Sequence, residues 1–252
     1  MKKTLIKVEN LYAGYNNKAI MEDLCFEVRK GEIFVILGGS GCGKSTVLKH
    51  MTGLLPPISG RIFIHDSDIT SAMGKDRNRL LQKIGVAFQS GALFGSMTIL
   101  ENIMLPITEY TDLPDDAIKN MAMIKLKLVD LENSAHLLPD ELSGGMKKRA
   151  AIARAMALDP SILFLDEPSA GLDPITSAEL DSLIVDLAMN FGITFVIVSH
   201  ELESILSIAD RIIMLEKDIK GIIASGNPMM LKNDKSIPYV YNFFNRNQET
   251  GK

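Results

Sequence analysis

Ile33-Phe34-Val35-Ile36-Leu37-Gly38-Gly39-Ser40-Gly41-Cys42-Gly43-Lys44-Ser45 is an apolar run that breaks into a glycine-rich turn and ends on a lysine and a hydroxyl. The apolar part reads as a buried strand and Thr46-Val47-Leu48-Lys49-His50-Met51 as the helix that follows, the context in which such a loop binds phosphate. Its glycines let backbone N–H groups turn inward as an anion nest, at a helix N-terminus whose dipole favours negative charge. Lys44 is then expected to reach the β and γ phosphates of a nucleotide, and the Ser45 hydroxyl to ligate Mg²⁺. Cys42, inside the loop, reads as a small residue tolerated there rather than as a redox switch.

Three more short apolar runs stop abruptly at polar residues. Ile84-Gly85-Val86-Ala87-Phe88 ends at Gln89, Ile162-Leu163-Phe164-Leu165 at Asp166-Glu167, and Thr194-Phe195-Val196-Ile197-Val198 at Ser199-His200. Continuous apolar character suits strands of a parallel sheet covered on both faces. Ligands of open α/β sheets bind outside the carboxyl ends of the strands, so these polar residues are expected to share a site with the phosphate loop. Successive strand residues face opposite ways, which gives the two acids different tasks. Asp166 would hold Mg²⁺, directly or through water, and Glu167 would polarise the water that attacks the γ phosphorus. Pro168 is expected to stop the strand. His200 alone reads as an ordinary hydrogen-bonded histidine, and Gln89 alone is a weak signal; their places at strand ends make them candidates, Gln89 for sensing Mg²⁺ and the attacking water.

Leu142-Ser143-Gly144-Gly145 opens a run, Met146 to Leu158, that is helical by composition, with Ser143 as the expected N-cap. Lys147, Lys148 and Arg149 put positive charge where the helix dipole is already positive. Such a helix start suits an incoming anion, although a charge run of this kind also reads as a solvated outer face.

In the order of these elements the chain resembles the ATPase subunits of ABC transporters along essentially its whole length. The resemblance implies an α/β fold: a P-loop ATPase core with a mostly parallel sheet, antiparallel strands at its N-terminus and an inserted helical subdomain. It makes Tyr15 the adenine-stacking residue, 38 to 45 the Walker A loop, Gln89 the Q-loop residue, 142 to 146 the signature, 162 to 166 with Glu167 the Walker B strand, Ser169 to Asp173 the D-loop and His200 the switch. The catalytic set it implies is Glu167, His200, Gln89 and Lys44, and the metal set Ser45, Gln89 and Asp166. The nucleotide set is Tyr15, Gly38, Gly39, Ser40, Gly41, Cys42, Gly43, Lys44, Ser45, Thr46, Ser143, Gly144, Gly145 and Asp173, with ATP and Mg²⁺ as cofactors. Two subunits would pair head to tail, Ser143 and Gly145 of one touching the γ phosphate held by Lys44 of the other.

Phe88-Gln89-Ser90-Gly91-Ala92-Leu93-Phe94, with Met97, Glu101-Asn102, Ser143 to Met146 and Asp173-Pro174-Ile175-Thr176, is similar to the Mla-type subgroup that serves MCE-linked phospholipid transporters of bacterial envelopes. Met146 stands where the usual signature has glutamine, a departure the subgroup shares. Phospholipid trafficking is the function this implies. The implied partners are an integral membrane permease, a periplasmic MCE protein and a small accessory cytoplasmic protein. The rival readings are the ATPase of a small-solute importer, such as one for an amino acid, and a soluble assembly ATPase; a non-hydrolysing module is disfavoured by Glu167 and His200.

Composition agrees. With 252 residues, 46% of them hydrophobic, the chain can bury a proper core. A net charge of −4 gives no basic field to recommend nucleic acid. No apolar run approaches the ~20 residues that span a bilayer, and Cys25 and Cys42 give no disulfide framework. A cytoplasmic protein, peripheral on the inner face of the cell membrane, is expected. Residues 1–225 read as the ATPase domain, its core 1–88 and 151–225 interrupted by a helical subdomain at 89–150, with 226–252 as a tail. In the insertion, Thr98-Ile99-Leu100-Glu101 matches a capping box, Pro106 is expected to end the helix it starts, and a second helix is expected from Pro114-Asp115-Asp116 to Lys125 and Lys127. The resemblance puts a contact with the permease at Ala92, Leu93, Phe94 and Met97, residues that also read as packing the insertion onto the core.

Overall fold

Two asparagines make the first turn. Asn16 and Asn17 both hold left-handed backbone (φ 48° and 60°), the requirement of a two-residue hairpin turn whose twist matches its strands. They join β1 (Thr4–Tyr15) to β2 (Lys18–Arg29) in antiparallel register. β3 (Ile33–Gly38) and α1 (Lys44–Met51) follow. β4 (Ser59–Ile64) and β5 (Ser67–Asp68) then complete an antiparallel sheet in the order β2-β1-β4-β5. The computed structural model describes residues 2–245. It forms two compact units, one from the chain up to Ser71 and from Val196 onward, the other Ala72–Phe195.

The second unit holds α2 (Gly74–Leu81), β6 (Ile84–Ala87), α3 (Ile99–Tyr110), α4 (Asp115–Leu128), α5 (Gly144–Ala155), β7 (Ile162–Asp166) and α6 (Pro174–Phe191). β8 (Thr194–Val198) begins in it and returns the chain to the first unit. Every residue of β7 is buried, and β6 lies parallel to it with Ile84 opposite Ile162 and Ala87 opposite Leu165. Ile103, Ile107, Ile118, Ala122, Leu126, Ala150 and Ile152 form the apolar interior of the α3, α4 and α5 cluster. The capping box at the start of α3 is present: the Thr98 hydroxyl accepts from Glu101 N at 3.2 Å and the Glu101 carboxylate from Thr98 N at 2.7 Å.

Pro106 does not end α3, contrary to the reading from sequence; the helix runs on to Tyr110. A proline inside a helix costs about 3 kcal/mol because it removes one hydrogen bond and crowds a carbonyl. Ile103 and Ile107 straddle it and are fully buried. Burying a large aliphatic side chain contributes roughly 1.5–3 kcal/mol, so the pair offsets the proline.

Back in the first unit, α7 (Leu202–Ile208) leads to β9 (Arg211–Glu216) and β10 (Gly221–Gly226), followed by α8 (Pro228–Asn233) and α9 (Pro238–Asn245). β3 pairs with β9 in parallel, Gly38 opposite Leu215, and β9 with β10 in antiparallel fashion. β3 is buried along its whole length, as its unbroken apolar sequence requires. α9 buries Val240 and Phe244. The rest of the expected tail, 246–252, lies outside the described residues.

Candidate nucleotide-binding and hydrolysis site

The phosphate loop lies in the first unit between β3 and α1. Gly43 sits at the head of α1 with φ 104°, and a Cβ there would come within 2.9 Å of Ile20 Cγ2, so only glycine fits. No side chain caps α1, and its first turn carries no acid. Its positive end is therefore not offset by a carboxylate of its own first turn, as an anion site requires. Lys44 is buried, and its Nζ donates to Gly38 O at 3.0 Å and Gly39 O at 3.2 Å. The loop thus carries its cation strapped over its own backbone. Thr46 Oγ1 donates to Tyr15 Oη at 3.4 Å, while the Tyr15 side chain stays partly exposed at the end of β1. Tyr15 is thereby anchored by its hydroxyl with its ring open to a partner.

Cys42 is buried, and burial pushes its thiol above the ordinary range. It is a packing residue, since a reactive cysteine needs a lowered pKa and exposure. His200 follows β8 and is exposed; before it, the buried Ser199 fixes the turn by accepting from Glu201 N at 3.1 Å.

A second histidine escaped the reading from sequence. His50 on α1 is buried, accepts at Nε2 from Gly14 N at 3.1 Å, and lies 2.9 Å through Nδ1 from Leu55 O. The two contacts fix the neutral tautomer with the proton on Nδ1. Burial holds its pKa below the usual histidine value. The unfolded chain therefore binds the proton more readily, so stability is complete above about pH 6.5 and falls as pH drops below that value. Charging the ring sets a donor against Gly14 N–H, and leaving a buried donor unpaired costs about 1–3 kcal/mol. Urea midpoints measured from pH 8 to pH 5 should drop more steeply for the native chain than for His50→Gln, the two curves converging toward acid pH. Parallel curves would show that His50 does not titrate on unfolding.

In the second unit the parallel pairing of β6 and β7 puts Gln89 and the acidic pair at the same ends of neighbouring strands. Asp166 and Glu167 are both buried. β7 ends at Asp166, one residue earlier than expected, and Pro168 is not what ends it: Glu167 has already turned into left-handed backbone (φ 48°). A residue before proline resists the helical region, and a non-glycine residue in left-handed backbone is strained by about 1–3 kcal/mol. Strain of that kind gathers at functional sites.

Ser143 caps α5, its Oγ accepting from Met146 N at 3.3 Å, and both Ser143 and Gly144 are exposed. Gly145 is buried because α6 comes close: a Cβ there would lie 2.5 Å from Thr176 Cγ2. Asp173 caps α6, accepting from Ile175 N at 3.0 Å, Thr176 N at 3.1 Å and Thr176 Oγ1 at 2.6 Å. Those bonds, the Thr176 hydroxyl first, hold its carboxyl below the usual range. Thr176 thus lies close against Gly145 while it is bonded to Asp173, so it sits between the starts of α5 and α6.

The cations of α5 are not simply a solvated face. Lys148 Nζ donates to Gln89 O at 2.6 Å and Glu167 O at 3.1 Å. Arg149 pairs with Asp130 and Glu179, both at 3.2 Å. Further along, Arg154 donates to Ala92 O at 2.8 Å and Gly91 O at 3.0 Å and lies over the Phe94 ring. Asn102, fully buried, accepts from Phe94 N at 2.8 Å and donates to Phe94 O, Met97 O and Thr98 O. The segment after Gln89 is held by its backbone, which leaves the Phe94 side chain half exposed.

The family described as ABC transporter matches residues 21–170. The chain belongs to the ABC transporter family. It is an ATP-binding subunit of that family and an ATPase. This ABC subunit is 39% identical over 240 residues to the intermembrane phospholipid transport system ATP-binding protein MlaF of Haemophilus influenzae, covering 95% of this chain and 90% of that one. It is also 39% identical over 241 residues to the probable ribonucleotide transport ATP-binding protein mkl of Mycobacterium leprae, covering 95% of this chain and 68% of that one. The ATP-binding cassette MJ0796, solved as a dimer in a post-hydrolysis state with ADP and Pi, superposes with a TM-score of 0.80 at 28% identity, over 88% of this chain and 98% of that one. The ABC fold thus matches the expected α/β class, with its antiparallel N-terminal sheet, its parallel strands and its helical cluster. Among the described residues no helix is long and apolar enough to cross a membrane.

Proposed function

We propose that this subunit hydrolyses ATP with Mg²⁺ as half of a dimer of identical chains and drives phospholipid trafficking through an integral membrane permease. The observation that carries the cargo reading is the match to a phospholipid transport subunit over nine tenths of both chains. The match at equal identity to a probable ribonucleotide transport subunit favours a second reading, a small-solute transporter. It spans only 68% of that relative, so the phospholipid reading is preferred.

The roles follow the chemistry of the side chains. Ser45, Asp166 and Gln89 offer only oxygen donors, the set that suits a hard Mg²⁺ ion. When bound, Mg²⁺ would neutralise charge on the β and γ phosphates. Lys44 binds those phosphates with the amides of 38 to 46, and Tyr15 stacks on the base. Glu167 takes the proton of the attacking water, and Gln89 and His200 orient that water. Ser143, Gly144 and Gly145 serve the nucleotide of the second copy, and Asp173 shapes the turn beside them. We assign 1–225 to the ATPase domain, with core 1–88 and 151–225, helical subdomain 89–150 and tail 226–252. A groove of about 490 Å³ lined by Phe88, Ala92, Phe94, Leu105, Pro106 and Tyr110 is the proposed seat of the permease, which would make the protein peripheral on the cytoplasmic face of the cell membrane. A periplasmic MCE protein and a small accessory protein would complete the assembly; nucleic acid has no part in it.

Reconstitution with the native permease in phospholipid vesicles tests this. ATPase activity is expected to respond to lipid, and labelled phospholipid to move in a way that stops with Lys44→Ala. Movement of a nucleotide or another small solute, with lipid unmoved, would overturn the cargo and leave the ATPase standing.

A further inference from the structure

Lys148 has no part in the roles above, yet its ammonium joins two of their bearers. It donates to the carbonyl of Gln89 and to that of Glu167, and bonds from a charged donor are roughly twice as strong as neutral ones. The Glu167 carbonyl belongs to the residue held in left-handed backbone before a proline, and the bond it accepts from Ala170 N is longer at 3.3 Å. Rotating the peptide on either side of Glu167 would swing its carboxylate. The bond from Lys148 opposes that rotation. Six residues along the same helix, Arg154 grips the carbonyls of Gly91 and Ala92, so α5 holds the 89–92 segment at three carbonyls and Glu167 at one.

We propose that Lys148 is a positioning residue for hydrolysis: its ammonium fixes the backbone that aims Glu167 and ties that aim to the backbone of Gln89. The inference rests on the reading of Glu167 as general base. Displacement of the 89–94 segment is then passed to the base through one side chain. Lys148 touches neither phosphate nor the attacking water in this scheme; it acts through Glu167.

The test uses the purified full chain with Lys148→Met, Lys148→Arg, Glu167→Gln and the double variant Lys148→Met/Glu167→Gln. Lys148→Met is expected to lower kcat about tenfold, a positioning loss, with KM for ATP within about twofold of the native value. Lys148→Arg, which keeps the charged donor, should recover most of that loss. In the Glu167→Gln background, removing Lys148 should lower kcat no further, because residues that act as one unit are not additive. A native kcat in Lys148→Met beside an inactive Glu167→Gln would overturn the Lys148 inference alone; so would an additive loss in the double variant, or a loss confined to KM. Native activity in Glu167→Gln would instead overturn the reading on which it rests. If Lys148→Met does not fold, Lys148→Gln carries the test. Its neutral donor should leave kcat about threefold low, and a native kcat would reject the requirement for an ammonium.

Discussion

Glu167→Gln is expected to bind ATP as tightly as the native chain and to hydrolyse it at least about 100-fold more slowly, the low end for loss of a general base. The substitution keeps the size and shape of the side chain; it removes the negative charge and the capacity to accept a proton, and puts an amide NH2 in place of one oxygen. Glu167 is buried, with Oε2 sealed from solvent, so bulk water is poorly placed to replace it. Lys148 grips the backbone carbonyl of this residue, and that bond survives in the variant. Its folding and nucleotide affinity should therefore be intact. Under the proposed mechanism the dimer then stays closed on ATP, because the step that would open it is blocked. Single-turnover hydrolysis and size-exclusion chromatography with ATP check both parts. Native turnover would remove Glu167 from the role of base, and a variant that is slow but never dimerises would separate closure from nucleotide binding.

The strand, glycine turn and helix around 38–45 were legible in the sequence because each answers a local demand: an unbroken apolar run for β3, and a left-handed turn at Gly43 at the head of α1. The same holds for the capping box at Thr98, whose partners lie three residues apart, and for β3 and β7, whose unbroken apolar runs fit burial on both faces. What escaped depends on contacts far apart in the chain. His50 and Gly14 are 36 residues apart, and Lys148 and Gln89 are 59 apart; nothing local announces either pairing. Lys148 did leave a faint signal: it falls three residues after the buried Gly145 and four before the buried Ile152, on the inner face of its helix. Among three consecutive cations that phase was hidden by the ordinary expectation that charges face solvent. Pro106 misled for a related reason, since the local rule is outweighed by the burial of Ile103 and Ile107, and that burial is set by tertiary packing.

Mixing two inactive chains should restore activity. Lys44→Ala removes the ammonium that straps the phosphate loop, and Ser143→Arg places a bulky cation at the exposed start of α5. Loss of the Ser143 cap costs only about 1 kcal/mol, so the second chain should still fold. Each homodimer should fall about 100-fold or more, the scale of losing a donor that stabilises the transition state. If each site takes Lys44 from one copy and Ser143 from the other, a mixed dimer contains one site with both residues native and one with neither. Equal amounts paired at random give half mixed dimers, each with one of two sites intact, so activity should return to about a quarter of native under two-fold symmetry. Steady-state ATPase rates across a titration of one chain into the other read this directly, peaking at the equal mixture. If each chain instead used its own Lys44 with its own Ser143, every site in every pairing would carry one defect. The mixture would then stay as inactive as its parents, which would dismiss the shared site while leaving the phosphate loop and Glu167 in their roles.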